Sequence, residues 1–303
     1  MDTTDGIHNI PFERLDETDE MKTRKYSPFY YPLSSSETLE SRGQAPEGER
    51  MQIPFVEGSM RQYEEIMMLC GRYIFTTLGF ELLVDSAAAG VLRCRQGERS
   101  GTAVVYCPGA GGWFGVVDQA NCVRKGIREG SVYSMCEAIR DRHASVVILN
   151  PMLLKYLNDD RRSVYERHLS TTLPHVFASY ETVHMICFSL GGHAFLEYLS
   201  TLLSIPSSLR SIDLLDSVVH DLQQYSREFC HEVIPLCRHW RASSLPLGSR
   251  MEGLRVDNGV KCFSSGTLDH EKVFHSCWKR VIKDLLGGKE RENDRKQDTC
   301  CCS

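Results

Sequence analysis

The segment Thr182-Val-His-Met-Ile-Cys-Phe-Ser189-Leu-Gly191-Gly192-His reads as an apolar strand, a serine, two glycines and the start of a helix. A serine nucleophile needs such a setting, because its hydroxyl must be raised on a sharp strand-to-helix reversal that small neighbours permit. The pattern for that turn is G-x-S-x-G. Here Gly191 fills the second glycine, and Cys187, still a small residue, stands at the first. The competing reading is a glycine-rich strand–helix junction with an incidental serine.

A serine hydroxyl needs a base to take its proton, and the base needs an acid to hold its tautomer. On a strand–turn–helix site of this kind the partners follow in chain order, acid and then histidine. The run Ser211-Ile-Asp213-Leu-Leu-Asp216 ends a strand at Asp216, at the carboxyl rim where ligands bind in open α/β sheets. Asp213, inside the strand, is the second choice. Of the 11 histidines, His270 falls between the last expected strand and the last expected helix, in Ser264-Ser-Gly266-Thr267-Leu-Asp269-His270-Glu271. The alternative for His270, flanked by two acids, is that it merely caps that helix. His193, His220 and His275 read as packing or surface residues. No His and Cys spacing suits a metal set, so no metal and no cofactor is expected.

A third element is the loop Pro108-Gly109-Ala110-Gly111-Gly112-Trp113-Phe114-Gly115, directly after a strand at 103–107. Backbone amides in such a loop can hold a developing oxyanion, and Gly111, Gly112 and Trp113 are the expected donors. A dinucleotide loop is the rival. Its G-x-G-x-x-G spacing fails because Phe114 stands at the third glycine, and the next strand ends in Asn150, not an acid.

These pieces require a scaffold that brings strand ends together. Ala103–Cys107, Ser145–Asn150, Val183–Phe188, Ile212–Leu215 and Val260–Phe263 are short apolar runs rich in β-branched residues, as in strands covered on both faces. Helical periodicity marks Val132–Arg140, Ser163–Ser179, Gly192–Leu203 and Glu271–Leu286, and a further amphipathic stretch runs from Ser59 to Leu78. Phe80–Val84 and Val91–Cys94 read as an antiparallel hairpin. The expected fold is α/β: a doubly wound, mostly parallel sheet of α/β-hydrolase type that opens with an antiparallel hairpin. The segment 221–258 shows no motif and reads as a roof over the pocket. Domain boundaries follow composition: a flexible polar segment at 1–58, a folded domain at 59–287, and a charged tail at 288–303.

A net charge of -5 gives nucleic acid no electrostatic reason to bind the bulk surface, so no direct nucleic-acid contact is expected. The N-terminus lacks an apolar signal core, and the 13 cysteines are scattered, which reads as reduced thiols in a cytoplasmic or nuclear protein. The chain ends Cys300-Cys-Cys-Ser303, a C-a-a-X form with unusual middle residues. Cys300 is therefore a candidate prenyl site, and one prenyl chain would anchor the chain to a membrane only weakly.

The glycine loop with Trp113, Gly130-Ser-Val-Tyr133, Val147-Ile-Leu-Asn150-Pro151, the Ser189 turn, Leu215-Asp216-Ser-Val218 and Ser264-Ser-Gly-Thr-Leu-Asp-His270-Glu271 together resemble the Arb-two (argonaute-binding-protein-two) domain shared with the FAM-172 family. The resemblance spans about 59–286. It implies an α/β-hydrolase-like fold, with Ser189, Asp216 and His270 at its triad positions, and protein partners in argonaute-linked silencing or chromatin complexes. Cys187 and the extra valine before His220 depart from the usual pattern. Two functions follow as expectations: a serine hydrolase acting on a small acyl substrate (ester, thioester or amide), or a non-catalytic scaffold that binds a protein partner.

Overall fold

The β-branched runs become the centre of one sheet. The structure, a computed structural model, describes residues 70–71, 73–82, 89–92, 101–110, 114–118, 121–122, 125–151, 161–217, 225–251 and 259–287. The expected end segments, with Cys300, and the loop residues Gly111, Gly112 and Trp113 lie outside the described residues, as does His220.

The strands are β1 (Glu81–Leu82), β2 (Ala89–Leu92), β3 (Thr102–Cys107), β4 (Ser145–Leu149), β5 (Thr182–Phe188), β6 (Leu209–Leu215), β7 (Cys237–Arg241), β8 (Arg250–Met251) and β9 (Lys261–Ser264). They pair in the order β1-β2-β4-β3-β5-β6-β7-β9-β8. The six central strands, from β4 to β9, are parallel. The hairpin β1–β2 joins one edge antiparallel through β4, and β8 closes the other edge antiparallel to β9. The chain order reverses about β3, and β5 beside it lies at the sheet's middle. This is the α/β-hydrolase type of sheet, with its strand ends gathered where a ligand crevice forms.

Among the described residues, the helices around the sheet include α1 (Tyr133–Arg140), α2 (Arg161–Ser179), α3 (Leu190–Ser200), α4 (Arg227–Val233) and α5 (His270–Leu286). Alternation along each strand divides the buried side chains between two faces. On β3, Val104 and Tyr106 join one cluster with α1, α5 and Ile74, Phe75 and Leu78 of the stretch near 70–78. Ala103, Val105 and Cys107 join the other, under α2 and α3. Strands buried on both faces explain the unbroken apolar runs in the sequence. Fully buried Phe114, Phe195 and Phe274 each contribute roughly 1.5–3 kcal/mol of apolar burial. The nine described cysteines are all free, and eight are buried.

One expectation fails. Part of the segment read as a roof is β7, an interior strand between β6 and β9. The run Cys237-Arg-His-Trp-Arg241 hides its strand character behind charges. Arg238 is tolerated there because Asp213 lies directly opposite it on β6 and binds its guanidinium at 2.8 Å.

Candidate active site

Ser189 ends β5 and begins α3, with φ 51° and ψ −123°. A residue with a side chain holds that conformation only where its surroundings impose it, and such strain gathers at functional turns. Here its N–H is fixed by the Leu215 carbonyl of β6 at 3.0 Å. The glycines are required by crowding as α3 starts: a side chain at Gly191 would collide with the carbonyls of Pro108 and Cys107, and one at Gly192 with the Ser217 hydroxyl. Cys187, in the place of the first glycine, is fully buried beside Cys107 on the face covered by α2 and α3. A thiol fits there because the strand simply continues into the core.

Leu190 is the first helical residue after Ser189, where an amide has no partner within the helix, and no side chain caps this end. Its N–H is a donor beside the hydroxyl that the motif reading passed over, although the position after an elbow serine supplies one half of an oxyanion site. The other half would come from the loop after β3. Gly109 packs so closely that a Cβ there would lie 2.7 Å from the Ser189 Cβ. The loop is anchored at both ends. Tyr165 Oη of α2 sits 2.8 Å from the carbonyl oxygens of both Pro108 and Gly109, sharing one proton between them. At the far end, the Phe114 N–H donates to Asn150 Oδ1 at 3.2 Å, and the Asn150 N–H donates to His168 Nε2 at 3.3 Å. Burial pushes the His168 pKa down to about 3, so the ring stays neutral and able to accept.

Asp216 follows β6 at φ 42°, a left-handed turn that aspartate tolerates better than most residues. Its Oδ1 accepts the Ala242 N–H at 3.0 Å, and its Oδ2 meets His270 Nδ1 at 2.6 Å. The imidazole lies flat on Phe188, the residue before Ser189, with ring centroids 5.0 Å apart. With Nδ1 held by the acid, Nε2 is the nitrogen left to exchange a proton. Among the described residues, no hydrogen bond joins Ser189 Oγ to His270. His270 is not the helix cap. Asp269 is, its carboxylate accepting the Glu271 N–H at 3.1 Å, which leaves the imidazole to Asp216. Neither Ala242 nor Phe188 carried any sign of its role in the sequence.

The charges of the pair reinforce each other. The hydrogen bond that the His270 Nδ1–H donates to Asp216 raises the His270 pKa above its ordinary value, against partial burial, with Glu271 and Asp269 adding to the field. Burial works against the Asp216 carboxylate, yet the bonds from His270 and Ala242 outweigh it and hold its pKa below the usual range. Asp213, the second choice, is fully buried and wholly committed, to Arg238 at 2.8 Å and to the Trp240 indole N–H at 2.9 Å. His193 pairs with Glu197 one helical turn on, at 3.5 Å. A cleft of about 220 Å³ on another flank of α5, lined by Asn121, Lys125, Glu129, Lys272, His275 and Ser276, includes none of these groups.

No protein-family model matches the sequence, and no curated protein matches it. Among solved structures, the chain is similar to a histone deacetylase from Saccharomyces cerevisiae at 10% identity and TM-score 0.47, covering 78% of this chain and 100% of that one. It is similar to an esterase from Thermogutta terrifontis at 10% identity and TM-score 0.38, covering 67% and 89%. A dienelactone hydrolase from Anabaena variabilis follows at 9% identity and TM-score 0.32, covering 51% and 67%. Likenesses this distant say nothing about chemistry.

Proposed function

We propose that this chain is a serine hydrolase cleaving an ester, thioester or amide, with Ser189 as nucleophile, His270 as base and then acid, and Asp216 as the orienting carboxylate. The observation that carries the reading is the 2.6 Å Asp216–His270 bond beside a serine held at φ 51°. In the first half-reaction Ser189 Oγ attacks the acyl carbon as its proton passes to His270 Nε2. The Leu190 N–H and the loop at 111–113 would hold the oxyanion. The proton then passes to the leaving group, and an acyl-serine remains. Water, deprotonated by the same nitrogen, releases the acid and restores the hydroxyl. Every proton taken is returned, so no cofactor enters the cycle.

The raised His270 pKa supports this reading, because a tightly held acid–imidazole pair stabilises the imidazolium that forms as the serine attacks. A serine-reactive fluorophosphonate tests it. Wild-type protein should label, and Ser189→Ala should not. Absence of labelling of a protein that melts cooperatively would overturn the reading.

A second reading is a non-catalytic scaffold of the Arb-two kind, cytoplasmic or nuclear, that binds a protein partner in silencing or chromatin complexes. One observation favours it: the hydroxyl and the imidazole are not hydrogen-bonded to each other. Unliganded hydrolase sites, however, often tighten only when substrate is bound.

A further inference from the structure

Large apolar side chains left in water are uninformative singly and meaningful when they gather. Among the described residues, Leu245 is 47% exposed, Leu247 46% and Leu268 74%, and all three stand on two loops that are bonded to each other. The Ser243 N–H donates to Thr267 O at 2.7 Å, Ser265 N–H to Arg241 O at 2.9 Å, and Gly248 N–H to Ser264 O at 2.9 Å. The Ser264 hydroxyl donates to Leu245 O at 2.7 Å. Gly266 approaches Leu247 so closely that a Cβ on the glycine would lie 3.2 Å from the Leu247 Cβ. These bonds hold the two loops to each other.

The same two loops hold the site. Ala242, three residues before Leu245, gives its N–H to Asp216, and Leu268 lies two residues before His270. Three leucines are too few for a stable protein partner, which needs roughly 800 Å² from each side. They suit a narrow apolar chain attached to a carbonyl at Ser189, because the loops that bear them also bear Ala242 and His270.

We propose that Leu245, Leu247 and Leu268 seat the acyl chain of the substrate, so that the substrate class is an ester or thioester of a medium- or long-chain fatty acid. The inference rests on the hydrolase reading and deepens it.

The test uses the full chain with p-nitrophenyl acetate and p-nitrophenyl octanoate, both below their aggregation concentrations. Burying two to three methylene groups should favour octanoate in kcat/KM by about thirtyfold. The double variant Leu245→Ser with Leu268→Ser should bring the octanoate-to-acetate ratio down about tenfold, and because both side chains are exposed the variant should melt like wild type. Equal kcat/KM for the two esters, or a ratio that the double variant leaves unchanged, overturns the acyl seat while the hydrolase reading stands. Turnover of neither ester by folded protein removes both.

Discussion

Strand β6 and the turn that follows it carry two aspartates three residues apart, and they have opposite lives. Asp213 lies in the sheet interior, fully buried, its oxygens taken by Arg238 and the Trp240 indole, with Arg238 bridging on to Asp284 of α5 at 3.2 Å. Asp216 lies at the rim, one oxygen on a backbone N–H and the other on an imidazole that is 45% exposed. Both carboxylates have both oxygens hydrogen-bonded. They differ in what the partner can still do. A guanidinium inside the sheet has no proton to give at any working pH, so the first pair ties strands to a helix. An imidazole at the rim keeps one nitrogen open, so the second pair can move a proton.

The comparison can be broken most severely at the rim. Asp216→Asn should keep the fold yet lower kcat/KM for an ester by roughly a thousandfold to ten-thousandfold, because the amide fixes the wrong imidazole tautomer. Steady-state kinetics on a variant of unchanged melting temperature would check it, and a loss below about tenfold would reduce Asp216 to a structural role.

The interior gives the complementary result. Asp213→Ala leaves the half-buried Arg238 with Asp284 alone and takes the acceptor from the buried Trp240 indole N–H, which should cost about 1–3 kcal/mol of stability. Denaturant unfolding would measure the loss, and the protein that remains folded should label with fluorophosphonate as wild type does.

The smallest effect is on pH. A base must be neutral to accept the serine proton, and His270 has its pKa raised by Asp216, so it holds its proton to higher pH than an ordinary histidine. The acidic limb of kcat/KM should therefore lie above the usual histidine value of about 6.5. In Asp216→Asn the residual limb should move down towards that value. A wild-type limb below it would contradict the pairing seen here.

Much of this was legible in the chain. Unbroken runs such as Val146-Val-Ile-Leu149 announce strands covered on both faces, and the stripe from Val273 to Leu285 announces the last helix, because burial imposes periodicity on residue type. Strand β7 was hidden because Arg238 and Arg241 break its apolar pattern. Its acceptability depends on Asp213, which lies 25 residues earlier and is a neighbour only once the sheet has formed. The same holds for Tyr165, which reaches the glycine loop from 57 residues away.

Residue types and their order along the chain determined the candidates: a serine at a strand–helix turn, an acid after the next strand, a histidine before the last helix. Position along the chain ranked Asp216 ahead of Asp213, but it could not say what either carboxylate meets, nor whether His270 caps a helix or faces an acid, since both questions concern direction in space. The tertiary structure decided them. The β6–β7 register gives Asp213 the Arg238 guanidinium, Asp269 takes the cap, and the imidazole is left on Phe188 against Asp216. Contacts between residues 54 positions apart arise from packing, and local sequence carries no record of them.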